Sequence, residues 1–454
     1  MPRQLYETAD SQPQRAFLVG VELPTTRNSG WSAEESLAEL AQLADTAGAI
    51  VVGRTIQRRA APDPATYIGE GKAYEIEAER AVLDFDLVIF DDEISAVQQR
   101  NLEQIIGCAI IDRTTLILDI FARRARTYEA KLQVELAQLQ YRLTRLAGKG
   151  VDLSRLGAGI GTRGPGETKL ETDRRRIRDR ISHLQAELRE VAAHRERLRR
   201  ERTGKIPVVA LTGYTNAGKS TLHRALASSD VQVEDRLFAT LDPTARRVDP
   251  PGGGEPFILV DTVGFIQKLP HQLVAAFRST LEEVISADLI LHVVDTAHPK
   301  MAEQMATVNH VLRELEAAQR SAGRNSDNSS AGYDSMPASR PQIIVFNKID
   351  KLPDRELAEH LVKQHPGSVA VSALTGENLD HLLEAIDRAL ANRRQIIDVV
   401  VPYSASGWVA WLHERGQVLV EEHTAEGTRL RVELQTGLAH QVLARLRTAM
   451  KGKP

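Results

Sequence analysis

The chain has 454 residues, a formal net charge of −3 and 26% charged residues, which is typical of an ordinary globular protein of about three domains. Its one cysteine, Cys108, excludes a disulfide framework and a cysteine-based metal cage. No apolar run approaches the roughly 18 residues that span a bilayer, and the N-terminal residues lack the apolar core of a secretory signal. These features predict a soluble, cytoplasmic, multidomain protein without a membrane span.

The first predicted domain, residues 1–120, alternates short apolar runs with amphipathic segments. The strand candidates are AFLVGVEL, AIVVGRT, DLVIFDDE and CAIIDRT. Strands and helices that alternate at this spacing predict an α/β domain with a largely parallel sheet. An acidic cluster of Asp91, Asp92 and Glu93 follows the third strand, and we interpret it as a solvated strand end in preference to a metal site.

Residues 121–203 carry two leucine-rich seams with a heptad spacing. The first seam consists of Leu132, Leu136, Leu139, Leu143 and Leu146, and the second of Ile177, Ile181, Leu184, Leu188 and Val191. Each apolar stripe is too narrow to stand alone, so the two helices are predicted to pack as an antiparallel hairpin. Between them lies a predicted glycine-rich tip loop, residues 148–173, with seven glycines from Gly148 to Gly166.

This hairpin segment is also the basic part of the chain. Residues 121–202 contain 21 Lys and Arg against 11 Asp and Glu, although the whole chain is slightly acidic. A local surplus of this kind favours contact with a polyphosphate, although a solvated helix face and a plain linker would look similar. The candidate RNA-contacting residues are Arg155, Arg163, Lys169, Arg174, Arg175 and Arg176.

Residues 204–392 contain the strongest chemical signal. Between the apolar strand VVAL and the helical segment TLHRAL, residues 213–220 have the pattern G-x-x-x-x-G-K-S. Strand, loop and helix are the context in which backbone N–H groups cradle phosphates at a helix N-terminus. Lys219 is then expected to neutralise the β- and γ-phosphates, and the Ser220 hydroxyl to bind Mg²⁺.

Three further motifs follow at the ends of apolar segments. Asp261 ends the strand of FILVDTVG and is expected to hold the water shell of Mg²⁺, while the Gly264 N–H senses the γ-phosphate. In IIVFNKID, the Asp350 carboxylate can accept from N1–H and the N2 amine of guanine, a donor pair that adenine lacks. In SVAVSAL, the backbone of Ser372 and Ala373 can contact guanine O6. Four motifs in this order predict a GTP site in a doubly wound fold.

The predicted site residues form three overlapping sets. The catalytic set is Lys219, Thr240 and Gly264, and the Mg²⁺ set is Ser220 and Thr240, with Asp261 holding the water shell of the ion. The nucleotide-binding set is Gly213, Tyr214, Thr215, Asn216, Ala217, Gly218, Lys219, Ser220, Thr221, Phe238, Ala239, Thr240, Leu241, Asp242, Asp261, Thr262, Val263, Gly264, Asn347, Lys348, Ile349, Asp350, Ser372, Ala373 and Leu374.

Three positions leave alternatives open. Thr240 in FATLDPT is preferred as the threonine that contacts Mg²⁺ and the γ-phosphate in the GTP state, and Thr244 competes for that role. Asn216 either coordinates K⁺ near the phosphates or only suits the backbone of the loop. Phe265 stands where small GTPases place the glutamine that orients the attacking water, so slow intrinsic hydrolysis is expected unless a partner reorganises the site.

The chain resembles the bacterial HflX family of GTPases through five segments: GTRGPGETKLETDRRR, GYTNAGKSTL, LFATLDPT, DTVGFIQKLP and NKID. The resemblance implies an N-terminal α/β domain, a helical hairpin, a P-loop G domain with a doubly wound, mostly parallel sheet, and a small C-terminal α+β domain at 393–454. It also implies binding to the large (50S) ribosomal subunit and its RNA, with the hairpin tip directed toward the peptidyl-transferase centre. Splitting of stalled ribosomes under stress, GTP hydrolysis stimulated by the ribosome, and a hydrophobic residue after D-x-x-G are further implications.

Two other functions remain open from the residues. One is a GTP-gated factor for large-subunit assembly with little intrinsic catalysis, which the missing glutamine supports. The other is an ATP-driven RNA-remodelling enzyme, against which the NKID motif argues. Residues 321–340, rich in Ser, Asn and Gly, are predicted to be a flexible insertion in the G domain, and no oligomer is implied.

Overall fold

The computed structural model describes residues 13–24, 30–155, 165–202, 206–227, 237–238, 240, 243–250, 256–268, 284–324, 341–391, 394–403, 407–435, 439 and 442–443. The chain divides into two compact units. The first comprises Met1–Val191, Glu234–Asp242 and Phe265–Ser279, and the second comprises Ala192–Val233, Pro243–Gly264 and Thr280–Pro454. The two short segments of the first unit therefore include Thr240 and the residues that follow the DTVG motif.

The N-terminal part of the first unit is a four-stranded sheet in the order β2-β1-β3-β4, and all of its neighbouring strands are parallel. This confirms the predicted α/β pattern. The strands are β1 (Arg15–Glu22), β2 (Ile50–Arg58), β3 (Leu87–Phe90) and β4 (Ala109–Asp112). The helices are α1 (Ala33–Thr46), α2 (Glu70–Leu83), α3 (Ala96–Ile106) and α4 (Arg113–Arg124). Ser32 and Ser95 begin α1 and α3 with capping boxes, which satisfy backbone N–H groups of the first turn.

Two long helices follow, α5 (Tyr128–Arg155) and α6 (Pro165–Arg202). They run antiparallel, because Tyr128 bonds Glu187, Glu135 bonds Arg180, and the Leu146 carbonyl accepts from Arg174. Leu132, Leu136 and Leu184 form the buried seam. The predicted pairing of the two leucine seams is therefore confirmed.

The helices extend farther than the predicted loop boundaries of 148–173 allowed. Helix α5 continues through Gly148 to Arg155, and α6 already begins at Pro165. Proline is favoured at the first helical position because its missing N–H has no intrahelical acceptor there, and a long helix tolerates the cost of about 1 kcal/mol for an internal glycine. The segment 156–164 lies outside the described residues, as does the insertion at 325–340.

The second unit contains a six-stranded sheet in the order β10-β9-β8-β5-β7-β6, parallel except for the antiparallel edge strand β6. The strands are β5 (Val208–Gly213), β6 (Thr244–Val248), β7 (Phe257–Asp261), β8 (Leu289–Asp295), β9 (Gln342–Asn347) and β10 (Val369–Ala370). The helices are α7 (Lys219–Ala227), α8 (Met301–Arg324), α9 (Glu356–Gln364) and α10 (Leu379–Ala391). This is the predicted doubly wound P-loop fold.

The C-terminal part is a three-stranded antiparallel sheet in the order β11-β13-β12, packed on helices. The elements are β11 (Arg394–Val401), α11 (Gly407–Arg415), β12 (Gln417–Thr424) and β13 (Gly427–Gln435). Within the described part of the chain, no helix combines the length and the apolar character needed to cross a membrane.

Candidate nucleotide site

The phosphate-loop motif lies at the junction of β5 and α7, with β5 ending at Gly213 and α7 beginning at Lys219. Gly218 has a φ of +91°, and a Cβ on it would lie 2.3 Å from Asn347 Nδ2. Only glycine fits this position without displacing its neighbour. The backbone therefore turns into the helix N-terminus as the motif predicts, and a helix N-terminus is where backbone N–H groups bind anions.

Asn347 connects the phosphate loop to the last predicted motif. At the end of β9, its side-chain Nδ2 donates to the Ala217 carbonyl at 2.9 Å, and its Oδ1 accepts from the Ala373 N–H at 2.9 Å. The residue is 1% exposed, so both bonds are shielded from water. One amide side chain thus holds the loop and the SVAVSAL segment together.

Lys219 is buried at the N-terminus of α7. Its Nζ donates to the carbonyl oxygens of Gly213 at 3.1 Å and Tyr214 at 2.7 Å. Burial lowers the pKa of Lys219 to about 8, nearby Asp261 opposes this shift, and Lys348 adds to it. A phosphate at this position would compensate the buried charge that the protein alone leaves only partly balanced.

Ser220 and Asp261, both assigned from the sequence to the same predicted Mg²⁺ site, are adjacent. The Ser220 hydroxyl donates to Asp261 Oδ2 at 2.7 Å, and Asp261 is 2% exposed at the end of β7. A hydroxyl and a carboxylate oxygen at this spacing are the hard ligands that Mg²⁺ prefers. No group of three or more His, Cys, Asp or Glu positioned to hold a metal ion occurs among the described residues. The Ser220–Asp261 pair fits a Mg²⁺ ion that takes Ser220 Oγ as a ligand, with Asp261 holding a water molecule of its shell.

Gly264 packs directly against the phosphate loop. A Cβ on Gly264 would lie 2.9 Å from Lys219 Nζ, from Thr215 Cα and from Thr215 Cγ2. This places the Gly264 backbone beside the lysine that is expected to contact the γ-phosphate. Thr262, two residues earlier, is fixed by a 2.6 Å bond from its hydroxyl to the Leu211 carbonyl.

The predicted guanine-recognition residues also lie together. Lys348 has a φ of +66° and donates to Asp295 Oδ2 at 2.7 Å. Asp350 Oδ1 accepts from the Ser372 hydroxyl at 2.6 Å, which orients the carboxylate. Ile349 and Ala373 are buried beside this group, and Leu374 is 71% exposed. The NKID and SVAVSAL motifs thus form one cluster with the phosphate loop.

The two predicted alternatives in the loop regions have different surroundings. Asn216 is exposed with a φ of +60°, a conformation that asparagine adopts more readily than most residues, which supplies a backbone reason for it. Thr244 lies in β6 in register with Asp261, whereas Thr240 belongs to the first unit. Phe238, with a φ of +54°, is buried against Phe121 at a ring distance of 4.7 Å. Ala239, Leu241 and Asp242 lie outside the described residues.

Of the six candidate RNA-contacting residues, three have described side chains. Arg174 is half-buried and donates to the Leu146 carbonyl at 3.2 Å, so it also fixes the hairpin, while Arg175 and Arg176 are exposed. Arg163 and the side chains of Arg155 and Lys169 lie outside the described residues.

The structure corrects the interpretation of the acidic cluster at the end of β3. Asp91 is 3% exposed and is not solvated, because it bonds Ser36, Arg113 and Lys268. Its cationic partners are distant in sequence and carry no motif. The DFDLVIFDD pattern alone offered no signal for this arrangement.

Four known protein families match successive parts of the chain. They are described as "GTP-binding GTPase N-terminal" at residues 34–122, "GTP-binding GTPase Middle Region" at 124–202, "50S ribosome-binding GTPase" at 208–348 and "HflX C-terminal domain" at 357–452. The solved GTP-binding protein of Sulfolobus solfataricus in complex with GDP is 24% identical, with coverage of 84% of this chain and 99% of that one, and a TM-score of 0.43.

Curated relatives match at higher identity over most of their length. GTPase HflX of Caldanaerobacter subterraneus is 48% identical over 402 residues, which is 88% of each chain. GTPase HflX of Lacrimispora saccharolytica is 46% identical over 87% of this chain and 88% of its own. With its phosphate loop, DTVG and NKID motifs placed in one G-domain fold, the chain is a GTP-hydrolysing enzyme and belongs to the HflX family of GTPases.

Proposed function

We propose that this GTPase binds the large (50S) ribosomal subunit and splits stalled or idle ribosomes, hydrolysing GTP to GDP and phosphate. The observation that carries the proposal is the combination of a GTP site with a long, basic antiparallel hairpin in one chain. The match of residues 208–348 to a 50S ribosome-binding GTPase family supports the same partner. The protein acts in the cytoplasm, where ribosomes are found.

Recognition of the nucleotide is assigned to the clustered motifs. The first-turn N–H groups of α7 and Lys219 hold the phosphates, and Asp350, oriented by Ser372, accepts from the guanine N1–H and N2 amine. Asn347 holds the phosphate-binding loop and the guanine-binding segment together. Ser220 and Thr240 would hold Mg²⁺, with Asp261 bound to its water shell, and the ion would neutralise phosphate charge. Asn216 is the candidate K⁺ ligand.

The hairpin is assigned to ribosomal RNA. Arg175 and Arg176 are exposed on α6, where they can pair with phosphates and give salt-dependent affinity. The glycine-rich tip has little side-chain bulk, which suits insertion into a crowded RNA site. Residues Arg155, Arg163, Lys169 and Arg174 complete the proposed RNA-contacting set.

Hydrolysis is proposed to depend on the ribosome. Phe265 is 2% exposed, so the residue after DTVG is packed away and has no polar group for the attacking water. This same observation favours the second candidate, a GTP-gated assembly factor with little catalysis of its own. Turnover in the presence of ribosomal particles distinguishes the two, because only the first requires strong stimulation.

Dissociation of purified 70S ribosomes, followed by light scattering and sucrose gradients, tests the proposal. With GTP, the chain is expected to convert ribosomes to subunits. Replacement of Arg175 and Arg176 by Gln should weaken binding, and each lost phosphate contact should flatten the salt dependence by about one unit of log–log slope. Arg58→Gln, at an exposed arginine paired with Glu22, is the matched control. Intact 70S ribosomes at saturating protein would contradict the proposal.

A further inference from the structure

Lys268 connects the segment after the DTVG motif to the end of β3. It lies four residues after Gly264, and its Nζ donates to Asp91 Oδ2 and, at 2.6 Å, to Asp92 Oδ1. Burial by itself would lower the pKa of Lys268, but Asp91 and Asp92 raise it above its ordinary value. Lys268 also has a φ of +52°, uncommon for a residue with a side chain. The lysine is therefore held as a cation in a specific, sparsely populated backbone conformation.

Asp91 also bonds a second buried cation, Arg113. Arg113 donates to Asp91 Oδ1 at 2.7 Å and also bonds Glu39, and the arginine is 2% exposed. Burial alone would raise the pKa of Asp91, yet Arg113 and Lys268 hold it below its usual range. Removal of one member of such a network leaves another buried charge with less compensation.

A second hydrogen-bond network begins at Asp112, the residue before Arg113. Asp112, next to Arg113, is fully buried and begins α4 by accepting from the Thr115 N–H at 2.9 Å. It also accepts from the Tyr141 hydroxyl and from Arg145 Nη2, the latter at 2.6 Å. Tyr141 and Arg145 both lie on α5, the first helix of the hairpin.

Arg145 fixes α5 to more than one part of the N-terminal α/β domain. Besides Asp112, it donates to the Ile94 carbonyl at 3.1 Å and to Gln99 Oε1 at 2.5 Å. Its guanidinium also lies 4.7 Å from the Tyr141 ring centre. The orientation of α5 is therefore defined by Asp112 at the end of β4 and by groups after β3 and on α3.

We propose that Lys268, Asp91, Arg113, Asp112 and Arg145 form a coupling path by which the nucleotide state at Gly264 changes the anchoring of hairpin helix α5. The chain passes from the second unit to the first between Gly264 and Phe265, so the connection to the nucleotide site is covalent. The four-residue segment from Gly264 to Lys268 spans at most about 14 Å, so a shift of Gly264 toward a γ-phosphate would also displace Lys268. Lys268 and Arg145 act as positioning residues.

The proposal rests on the proposed function only in taking α5 as part of the ribosome-contacting arm. Coupling is reciprocal, so a path from nucleotide to α5 must also let α5 bias the affinity for GTP over GDP. The coupling is therefore measurable at both ends of the path.

Hydrogen exchange of the full chain without ribosomes is the test. GDP and a non-hydrolysable GTP analogue are compared at backbone amides of residues 138–148. The wild type is expected to show a difference in exchange of about fivefold or more between the two nucleotides. Lys268→Met should abolish this difference, and Lys268→Arg should retain it because the cation is kept. Lys72→Met removes a lysine paired with Glu75 on α2 and should also leave the difference intact.

A second variant acts at the other end of the path. Arg145→Met should abolish the α5 difference and, by reciprocity, shift the ratio of GTP to GDP affinity in the same direction and to a similar extent as Lys268→Met. Lys268→Met and Arg145→Met combined should then shift the ratio no more than either alone. If Lys268→Met does not fold, Asp92→Asn, which removes one of the two Lys268 acceptors, is expected to reduce the difference partially.

Two results would overturn the coupling path. One is an equal exchange of α5 with GDP and the GTP analogue in the wild type, and the other is an unchanged difference in Lys268→Met. Neither depends on ribosomes, whereas failure of the proposed function would appear as intact 70S particles with normal nucleotide-dependent exchange.

Discussion

The side-chain amide of Asn347 donates a 2.9 Å hydrogen bond to the Ala217 carbonyl, and so joins the NKID motif to the phosphate-loop motif. Its oxygen meanwhile accepts from the Ala373 N–H at 2.9 Å. Asn347 is 1% exposed, so if its side chain were truncated, water could not replace either hydrogen bond. We therefore expect Asn347 to affect nucleotide binding through the two loops that it holds in place.

Asn347→Ala is expected to weaken GDP and GTP together. Loss of buried hydrogen bonds costs about 1–3 kcal/mol, which corresponds to roughly 5- to 150-fold in affinity. Titration with fluorescent GDP and GTP measures the change. Asn378→Ala, which removes a side-chain bond to the Ala370 carbonyl in the same unit, is the control and should leave affinity near the wild type. A selective loss of only one nucleotide would contradict this role.

Nucleotide affinity should depend on pH through Lys219. Its pKa is lowered to about 8 by burial, and a bound phosphate would raise it. Because phosphate binding raises the pKa of Lys219, the nucleotide binds more tightly to the protonated amine. Affinity is therefore maximal below pH 8 and falls as the pH rises through that value. The expected decline is at most about tenfold per pH unit. GDP titrations between about pH 7 and 9.5 measure it.

Lys219→Met is the matched variant for this dependence. It should bind GDP weakly but show no comparable fall above pH 8, because the titrating amine is gone. The same decline in the variant would assign the pH dependence to another group.

Guanine specificity should reside in Asp350. Asp350→Asn replaces an acceptor with a donor opposite N1–H and the N2 amine, so GTP use should fall while xanthosine triphosphate, which offers an oxygen at that position, is accepted. Steady-state hydrolysis with both nucleotides measures the switch. Asp354→Asn changes an exposed aspartate that caps the Glu356 N–H and should alter neither. Failure of the xanthine nucleotide to rescue Asp350→Asn would count against the assignment.

A substitution at Gly264 should lower the rate of GTP hydrolysis more than the affinity for GDP. A Cβ there would lie 2.9 Å from Lys219 Nζ and from backbone Thr215 Cα, so Gly264→Ala must displace the DTVG segment. We expect GDP affinity within about threefold of the wild type and GTP hydrolysis lowered by at least about tenfold, on the scale of one lost transition-state interaction. Parallel binding and single-turnover assays separate the effects. A proportional loss of GDP affinity would show that the substitution only damages the loop.

The sequence predicted the parts of the fold that local patterns encode. Strand and helix periodicity indicated both parallel sheets and the leucine seams. The GTPase motifs assigned Ser220 and Asp261 to one Mg²⁺ site, and the two side chains lie 2.7 Å apart. These contacts follow from motifs at the ends of adjacent parallel strands.

Other features depend on tertiary contacts that no local pattern reveals. The Lys268–Asp91 pair joins residues 177 positions apart, and the solvated interpretation of Asp91 was wrong because its partners come from three separate segments. The helix ends around the glycine-rich segment were misplaced because glycine is a weak predictor of where a long, packed helix stops.

The rate of GTP hydrolysis with and without isolated 50S subunits and 70S ribosomes tests the central claim most directly. Because Phe265 is buried and supplies no polar group to the attacking water, the chain alone should turn over slowly and ribosomal particles should accelerate it by about 10³-fold or more, the scale of a completed GTPase site. Rapid turnover by the protein alone, unchanged by ribosomal particles, would contradict the account.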